Sequence, residues 1–351
     1  MLTNNLDGTS LQKIDSEDPF AICISSTMIF SKESLQHMVA RIRSTMPESF
    51  IIIGGVCIWK DYLLYSSPDN YDDIFDGNGA ASSIFSSVNG SGIDANVLVV
   101  SPHGAQPLLM VLKELERGPK ADFEAIPNLA LSDNKGGYIF TSRQDEEVDY
   151  NSDYTRWDLL DELPTRIPIR TSIGCPYRCR YCDFCYLYPK IFLRSKESLI
   201  AELQTVRKLM KRPLVMHATD DNVFINKKRV RDVCDAIMQS GIKGWLGFMQ
   251  ASSIHESNID LIKQSGLVLS LIGVESGDQG QIERMNKRVK LEDMKRGIEL
   301  LDNNGISVTM TFIVGFPGET AETIHNTTAF INHLSVDTSS TNYHVYPLNI
   351  C

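Results

Sequence analysis

The sequence predicts an α/β protein made of two regions, each with a mostly parallel sheet. Short apolar runs of strand length alternate with stretches whose apolar residues recur at helical spacing. This alternation stops over a polar segment at 142–165 and restarts at 166. A chain of 351 residues is also long enough for two domains. We therefore expect a first domain over 1–141, a linker over 142–165 and a second domain over 166–351.

The first region begins with buried strands joined by helices. A helix is expected after Ser31, which is a plausible N-cap, and another over about 105–117. Residues 66–92 are rich in Ser, Gly, Asp and Asn and predict a long loop. A hairpin whose turn is the DNKGG segment at 133–137 closes the region. The strand candidates are 21–25, 50–55 and 96–100.

The second region predicts six βα units in succession, which favours a partial (βα)6 parallel barrel. Helical stretches separate most of its strand candidates. One helix is expected over 292–302, where Asn303, Asn304 and Gly305 then stop it. The six strand candidates are 167–173, 213–218, 245–250, 267–274, 306–314 and 342–348.

Composition limits the classes of partner. The net charge of −10 and the pI near 5.2 disfavour a broad nucleic-acid-binding surface, so nucleic acid is not expected as a partner. The first twenty residues lack the pattern of a signal peptide, and the apolar run at 50–58 is too short to cross a bilayer. We expect a cytoplasmic protein with no membrane partner. Its eight cysteines then indicate metal binding rather than disulfides.

The central motif is a C-x3-C-x2-C run formed by Cys175, Cys179 and Cys182, directly after a strand. Three thiolates can hold three irons of a [4Fe–4S] cluster, which leaves the fourth iron open to the amino and carboxylate groups of a small molecule. Cys185 offers an alternative. As a fourth ligand it would give a zinc site or a four-cysteine electron carrier, and otherwise it is a pocket or core thiol.

This spacing, with an aromatic residue before the last cysteine, resembles the signature of the radical S-adenosylmethionine (SAM) superfamily, over about 166–348. The resemblance implies an enzyme whose reduced cluster cleaves SAM to methionine and a 5′-deoxyadenosyl radical. That radical then abstracts hydrogen from a small-molecule substrate. A reducing partner such as flavodoxin or ferredoxin is also implied. The cofactor carries the chemistry, and the protein positions it.

The resemblance also implies which residues contact the cosubstrate. Asp220 and Asp221 follow the second strand, where the family holds the SAM amino group, although an Asp or Asn there could instead cap a helix. Glu275 and Ser276 match the family's GxES element. Tyr181 could pack near the adenine. The turn near the adenine is GFPGET, with Gly315, Phe316, Pro317 and Gly318.

One position departs from the family pattern. Many members carry an arginine for the SAM carboxylate at the end of the third strand, and this chain has Gln250, which brings no charge. Arginines also cluster around the cysteine motif. They are either solvated or paired with acids, or they raise the local potential or meet an electron donor. They are Arg166, Arg170, Arg178 and Arg180.

Residues 21–118 resemble the Rossmann-like cobalamin-binding domain found upstream of many radical SAM enzymes. The match rests on Ser25 and Ser26 after one strand and on Gly54 and Gly55 after the next, in loops that cradle the corrinoid tail in the family. The opening strands of that domain and its D-x-H-x-x-G motif have no counterpart. His103 lies where relatives show GEGE. The resemblance implies a shortened domain and leaves cobalamin binding open.

Three functions follow. The leading one is a radical SAM enzyme of the corrinoid-associated type, acting by methyl transfer or carbon-skeleton chemistry. The second is an RNA-modifying methylthiotransferase, which needs three further cysteines, whereas only Cys23 and Cys57 lie upstream. The third is a non-enzymatic iron–sulfur or zinc protein that uses Cys185.

Overall fold

A computed structural model describes most of the chain, and it divides between Val148 and Asp149 into two compact units. This boundary falls inside the segment 142–165. Among the described residues, no helix combines the length and the apolar composition needed to cross a bilayer. The described ranges are 8–28, 31–66, 83–85, 92–133, 137–334 and 341–347.

Unit 1 contains a five-stranded sheet in the order β1-β2-β3-β4-β5. The first three strands are parallel, and the last two form an antiparallel hairpin. The strands are β1 (Ile22–Ser25), β2 (Ile51–Gly54), β3 (Val97–Val99), β4 (Leu129–Ser132) and β5 (Tyr138–Phe140). The helices are α1 (Gly8–Ser16), α2 (Lys32–Thr45), α3 (Val56–Ser66) and α4 (Ala105–Leu115).

The predicted strands, the two predicted helices and the hairpin of unit 1 are confirmed. Ser31 caps α2, because its hydroxyl accepts a hydrogen bond from the Ser34 amide at 3.1 Å. Two helices were not predicted, α1 and α3. The apolar residues of α3 are spread around the helix, so helical periodicity does not mark it. Most of the predicted loop, 67–82 and 86–91, and the turn residues 134–136 lie outside the described residues.

Unit 2 contains a six-stranded sheet in the order β13-β12-β11-β10-β9-β6, in which every pair is parallel. A short antiparallel pair, β7 with β8, lies beside it. The strands are β6 (Arg166–Ile169), β7 (Ser172–Ile173), β8 (Phe192–Leu193), β9 (Val215–Ala218), β10 (Trp245–Phe248), β11 (Leu267–Glu275), β12 (Ser307–Val314) and β13 (Asn342–Pro347). The helices are α5 (Phe184–Leu187), α6 (Lys196–Leu209), α7 (Lys227–Ser240), α8 (Ile259–Gln264), α9 (Gln279–Arg284), α10 (Leu291–Asn303) and α11 (Ala321–Asn332).

This topology confirms the predicted α/β class and the six parallel strands, with β6 and β13 at the two edges of the sheet. The single strand predicted over 167–173 is wrong, because the chain leaves the sheet after Ile169. After Ile169 the chain instead forms hydrogen bonds to the Asp220 carboxylate, which follows β9. This carboxylate accepts hydrogen bonds from the Thr171 amide at 2.6 Å and from the Ser172 hydroxyl at 2.8 Å. The next residues therefore pair with β8 instead.

The two faces of this sheet have different surroundings. On one face, alternate strand residues such as Met216, Ile272 and Met310 are almost fully buried and form the core together with helix residues such as Val233 and Ile298. The intervening residues point to the other face. The carboxyl ends of the strands lead into loops, where parallel α/β folds place their sites.

Candidate active site

A cavity of about 450 Å³ opens at the carboxyl ends of β9 to β12 in unit 2. One wall is the cysteine loop that follows β7, and the others are strand ends and the loop after α9. Eight residues predicted to hold the cluster or the cosubstrate line this single cavity. They are Cys175, Cys179, Tyr181, Cys182, Asp220, Asp221, Gln250 and Glu275.

Backbone geometry holds the cysteine loop in place. Gly174 enters it with φ +79°, and a Cβ there would lie 2.9 Å from the Lys190 carbonyl oxygen, so only glycine fits. The loop after α9 holds the other end. There the Arg180 amide donates to the Met285 carbonyl at 3.0 Å, and the Asn286 side-chain amide donates to the Arg178 carbonyl at 2.7 Å.

Two of the three thiols must release a proton when metal binds. Burial raises the pKa of Cys175, and it raises the pKa of Cys182 to about 12. Both are protonated at neutral pH in the metal-free protein, so iron binding has to displace their protons. Among the described residues, no three His, Cys, Asp or Glu side chains converge on one metal-ion position. A cubane instead takes each thiolate on a different iron.

Cys185 is not placed as a fourth ligand. It is 3 % exposed, and its thiol donates to the Cys182 carbonyl at 3.2 Å. It does not line the cavity that the three motif cysteines share. The donor set facing the cavity is therefore three thiols, which fits a cluster with one open iron.

Glu275 lies at the centre of a buried polar group that includes Tyr181 and Lys287. It has φ +69°, a strained conformation for a residue with a side chain, and its carboxylate folds back over Gly273, where a Cβ would lie 2.1 Å from Oε1. Oε1 accepts the Tyr181 hydroxyl at 3.1 Å and lies 3.3 Å from the Lys287 Nζ. Burial, followed by the Glu275 charge, raises the pKa of Tyr181 well above its usual range.

Lys287 is the main residue that the sequence reasoning missed. It is 5 % exposed, lines the cavity, and donates to the Tyr181 hydroxyl at 3.0 Å as well as pairing with Glu275. Nothing local distinguishes it from its neighbours Arg284, Arg288 and Lys290, which are exposed. The cavity wall therefore carries a fixed positive charge that Gln250 does not supply.

The two aspartates after β9 have different surroundings. Asp220 is 3 % exposed, and its carboxylate is bound by Thr171 and Ser172. Asp221 has a pKa raised first by burial and then by the adjacent Asp220 charge. The alternative that a residue of 219–222 caps the following helix is wrong, because the N-cap of α7 is Asn226. Asp221 is thus the carboxylate with more freedom toward a ligand.

Ser276 and the GFPGET turn also lie at the carboxyl ends of the strands, but they do not line the cavity. Ser276 and the Gly277 amide bond to the Thr327 hydroxyl of α11 at 3.2 and 2.9 Å. Within the turn, the Gly315 amide donates to the Glu319 carboxylate at 2.6 Å, and Phe316 is buried. Pro317 and Gly318 are exposed. The contacts of these residues shape the turn and the start of α11, and their role near the adenine remains a prediction.

Three strand residues that were not predicted also line the cavity. His217, Phe248 and Thr311 belong to β9, β10 and β12 and point away from the helix-covered core. Burial, followed by the Arg166 charge, lowers the pKa of His217, so its imidazole is neutral at neutral pH. Phe248 is 42 % exposed despite its size. Their common signal is strand alternation, which places every second residue on this face.

In unit 1, the structure brings the predicted serines and glycines together at the carboxyl ends of β1 and β2. The buried Ser26 hydroxyl donates to the Gly54 carbonyl at 2.9 Å. Gly55 has φ +109°, and a Cβ there would lie 3.0 Å from the Ser26 amide nitrogen. Ser25 is exposed. Ser26 thus joins the two loops that the sequence singled out.

The loop after β3 is shaped by a residue that the sequence reasoning did not single out, Glu146. Its carboxylate accepts hydrogen bonds from the Ser101 hydroxyl and from the amides of Gly104 at 2.9 Å and Gln106 at 3.3 Å, at the start of α4. His103 between them is exposed. A carboxylate of this chain therefore already satisfies the helix N-terminus that an anionic ligand could have used.

Comparison with known proteins identifies the second unit. Residues 169–331 match the model of the Radical SAM superfamily. Unit 2 belongs to the radical SAM superfamily. The match begins at the end of β6 and spans the cysteine loop, the cavity and α11 nearly to its end, so it contains every residue of unit 2 that lines the cavity. The radical SAM assignment thus covers the site as well as the fold.

The chain is also similar to curated relatives and to a solved structure. The chain is 24% identical over 241 residues to the anaerobic magnesium-protoporphyrin IX monomethyl ester cyclase of Rubrivivax gelatinosus, covering 65% of this chain and 43% of that protein. It is 25% identical over 206 residues to the ribosomal protein uS12 methylthiotransferase RimO of Clostridioides difficile, covering 56% and 46%. The chain thus spans less than half the length of these two relatives.

The structure resembles that of the radical SAM methyltransferase TsrM from Kitasatospora setae, with a TM-score of 0.68 and 17% identity, over 95% of this chain and 64% of that one. At this identity the likeness shows the fold alone, and it includes both units.

Proposed function

We propose that this chain is a radical SAM enzyme that holds a [4Fe–4S] cluster through Cys175, Cys179 and Cys182 and binds SAM in the adjoining cavity. One observation carries the proposal. Three thiols face a cavity of about 450 Å³ that also holds fixed charges of both signs, while Cys185 is turned into the core. When bound, the cluster supplies the electron that breaks a C–S bond of the sulfonium.

The fixed charges suit the amino-acid end of SAM, which carries an ammonium and a carboxylate. Asp221 and Glu275 offer carboxylates to the ammonium, and Lys287 offers an ammonium to the carboxylate. Lys287 thereby supplies the charge missing at Gln250. Both Glu275 and Lys287 are nearly excluded from water, which strengthens such pairing. Tyr181, held by Glu275 and Lys287, is fixed beside the cysteine loop.

The overall reaction that we propose is cobalamin-dependent methyl transfer or carbon-skeleton chemistry on a small molecule. The likeness to the fold of TsrM over both units supports this, as does the loop pair of Ser25, Ser26, Gly54 and Gly55 in unit 1. The unused cavity positions His217, Phe248 and Thr311 offer a neutral imidazole, a ring and a hydroxyl to the substrate. We also propose the cytoplasm as the location and a flavodoxin or ferredoxin as the electron source.

Anaerobic reconstitution tests the proposal. We expect about four irons per chain, and 5′-deoxyadenosine after addition of SAM and dithionite. A Cys179→Ala variant should lose both. Bound zinc in place of iron, or an iron-loaded protein that leaves SAM intact, would refute the proposal. A corrinoid should co-purify, and its absence would refute only the cobalamin part.

The match to RimO favours methylthio transfer as a second candidate. Such enzymes carry a second cluster on three further cysteines. Here only Cys23 and Cys57 precede the motif. Iron analysis decides between the two, because a second cluster would raise the count to about eight irons per chain.

A further inference from the structure

A group of cations lies on the outer surface of the cysteine loop. We define the cysteine-loop patch as Arg178, Arg180 and Arg288, all three exposed. The first two flank Cys179, whose own side chain is 8 % exposed. The backbone of this loop is fixed by Met285 and Asn286, so the two guanidiniums are presented from an anchored segment.

The same anchoring loop brings in the third cation. Asn286 holds the Arg178 carbonyl through its Nδ2 at 2.7 Å, and its Oδ1 accepts a hydrogen bond from the Arg288 Nε at 3.4 Å. One side chain thus joins Arg288 to the cysteine loop, although the two segments are more than a hundred residues apart. Among the described residues, none of the three guanidiniums forms an ion pair with a carboxylate.

This patch stands out against the charge of the whole chain. Acidic residues outnumber lysine and arginine by 44 to 34, so three unpaired guanidiniums around one loop are a local reversal of sign. Positive surface patches steer acidic partners and orient them at contact.

We infer that the cysteine-loop patch docks an acidic one-electron donor protein. This inference rests on the proposed function, since a cluster must receive an electron before it can act. Arg178 and Arg180 are the sequence neighbours of Cys179, so a donor seated on the patch lies beside a residue proposed to hold the cluster. The electron passes from the reduced donor to the oxidised cluster, and no bond forms or breaks in this transfer.

The test separates docking from chemistry. Two variants weaken the patch, Arg288→Glu outside the cysteine loop and Arg178→Gln/Arg180→Gln within it. The control is Lys263→Glu. Lys263 is an exposed residue in the last turn of α8. This helix precedes the amino end of β11, so Lys263 lies toward the amino ends of the strands, away from the cysteine loop. Each protein receives electrons either from photoreduced flavodoxin or from dithionite, a small reductant that needs no docking site.

We expect dithionite-driven formation of 5′-deoxyadenosine to stay within about twofold of the parent in all variants. With flavodoxin at low salt, both patch variants should fall by about tenfold or more, while Lys263→Glu should not. Raising the salt should slow the parent and shrink this difference, since screening removes the attraction. Patch variants that accept electrons from flavodoxin as fast as the control would overturn the inference.

Binding gives a readout independent of activity. Titration of labelled flavodoxin at low salt should show affinity for the parent and the control, and about tenfold weaker affinity for the patch variants. Equal affinity for all four proteins, or none for the parent, would overturn the docking site. A parent that binds flavodoxin but makes no 5′-deoxyadenosine even with dithionite would instead refute the proposed function.

Discussion

Replacing Lys287 by Met tests the polar group at the centre of the cavity wall. The change removes an ammonium that lies 3.3 Å from the Glu275 carboxylate and 3.0 Å from the Tyr181 hydroxyl. Methionine keeps most of the side-chain volume, so lost packing contributes little. The remaining carboxylate is 7 % exposed and loses its counter-charge.

The size of the effect follows from the geometry. At 3.3 Å and an effective dielectric constant of about 20, the Coulomb attraction is about 5 kcal/mol, which is an upper bound. Removing one partner of a buried pair costs about 3–5 kcal/mol. Both side chains border a cavity that admits water, which favours the lower end. We therefore expect Lys287→Met to lower the free energy of unfolding of unit 2 by about 3 kcal/mol.

Urea unfolding followed by tryptophan fluorescence measures this loss. Trp157 and Trp245 are buried in the core of unit 2, and a Trp59→Phe background removes the signal of unit 1. The matched controls are Lys287→Arg, which keeps the charge, and the double variant Glu275→Gln/Lys287→Met, which removes both charges. The double variant should be more stable than Lys287→Met alone. A double variant no more stable than Lys287→Met alone would show that the ion pair is not formed.

Three further outcomes are expected. Cys185→Ala should retain about four irons and SAM cleavage, whereas loss of the cluster in this variant would make Cys185 a ligand. Tyr138 has a pKa raised to about 12 by burial. The protonated Tyr138 hydroxyl therefore contributes to the free energy of unfolding below pH 10. This contribution, at most about 2.7 kcal/mol, is lost as the pH rises from 10 toward 12. Urea titrations in which Tyr138→Phe loses as much stability over this pH range as the parent would contradict this. Gly297→Ala should destabilise unit 2 by about 1–3 kcal/mol or more. The reason is that a Cβ at this position would lie 2.0 Å from the carbonyl oxygen of Ala251, the residue after Gln250. An unchanged urea midpoint would refute that packing.

Local patterns were enough to predict most of the fold. Strand-length apolar runs such as 267–274 and 306–314 lie in the sheet as expected, because each is bounded by turn residues and followed by a helical stretch. The cysteine motif likewise places three thiols on one short loop. Features set by distant contacts were not predictable. The break after Ile169 depends on Asp220, about fifty residues later in the chain.

The same limit explains the missed site residue. Lys287 meets Tyr181 across 106 positions of sequence, and no spacing rule links a lysine in a polar loop to a tyrosine in the cysteine motif. Unit 1 shows another case, since Glu146 reaches Gly104 from a segment whose composition predicts only a linker. Composition indicates that such segments are polar, and only the folded contacts show which of their side chains are buried.

Electron paramagnetic resonance of the reduced, anaerobically reconstituted protein, recorded with and without SAM, tests the open iron most directly. If one iron of the cubane is free to bind the cosubstrate, adding SAM should change the g values of the reduced cluster, and Lys287→Met should require more SAM for the same change. A spectrum that SAM leaves unaltered at saturating concentration, or a protein that holds zinc, would contradict the account.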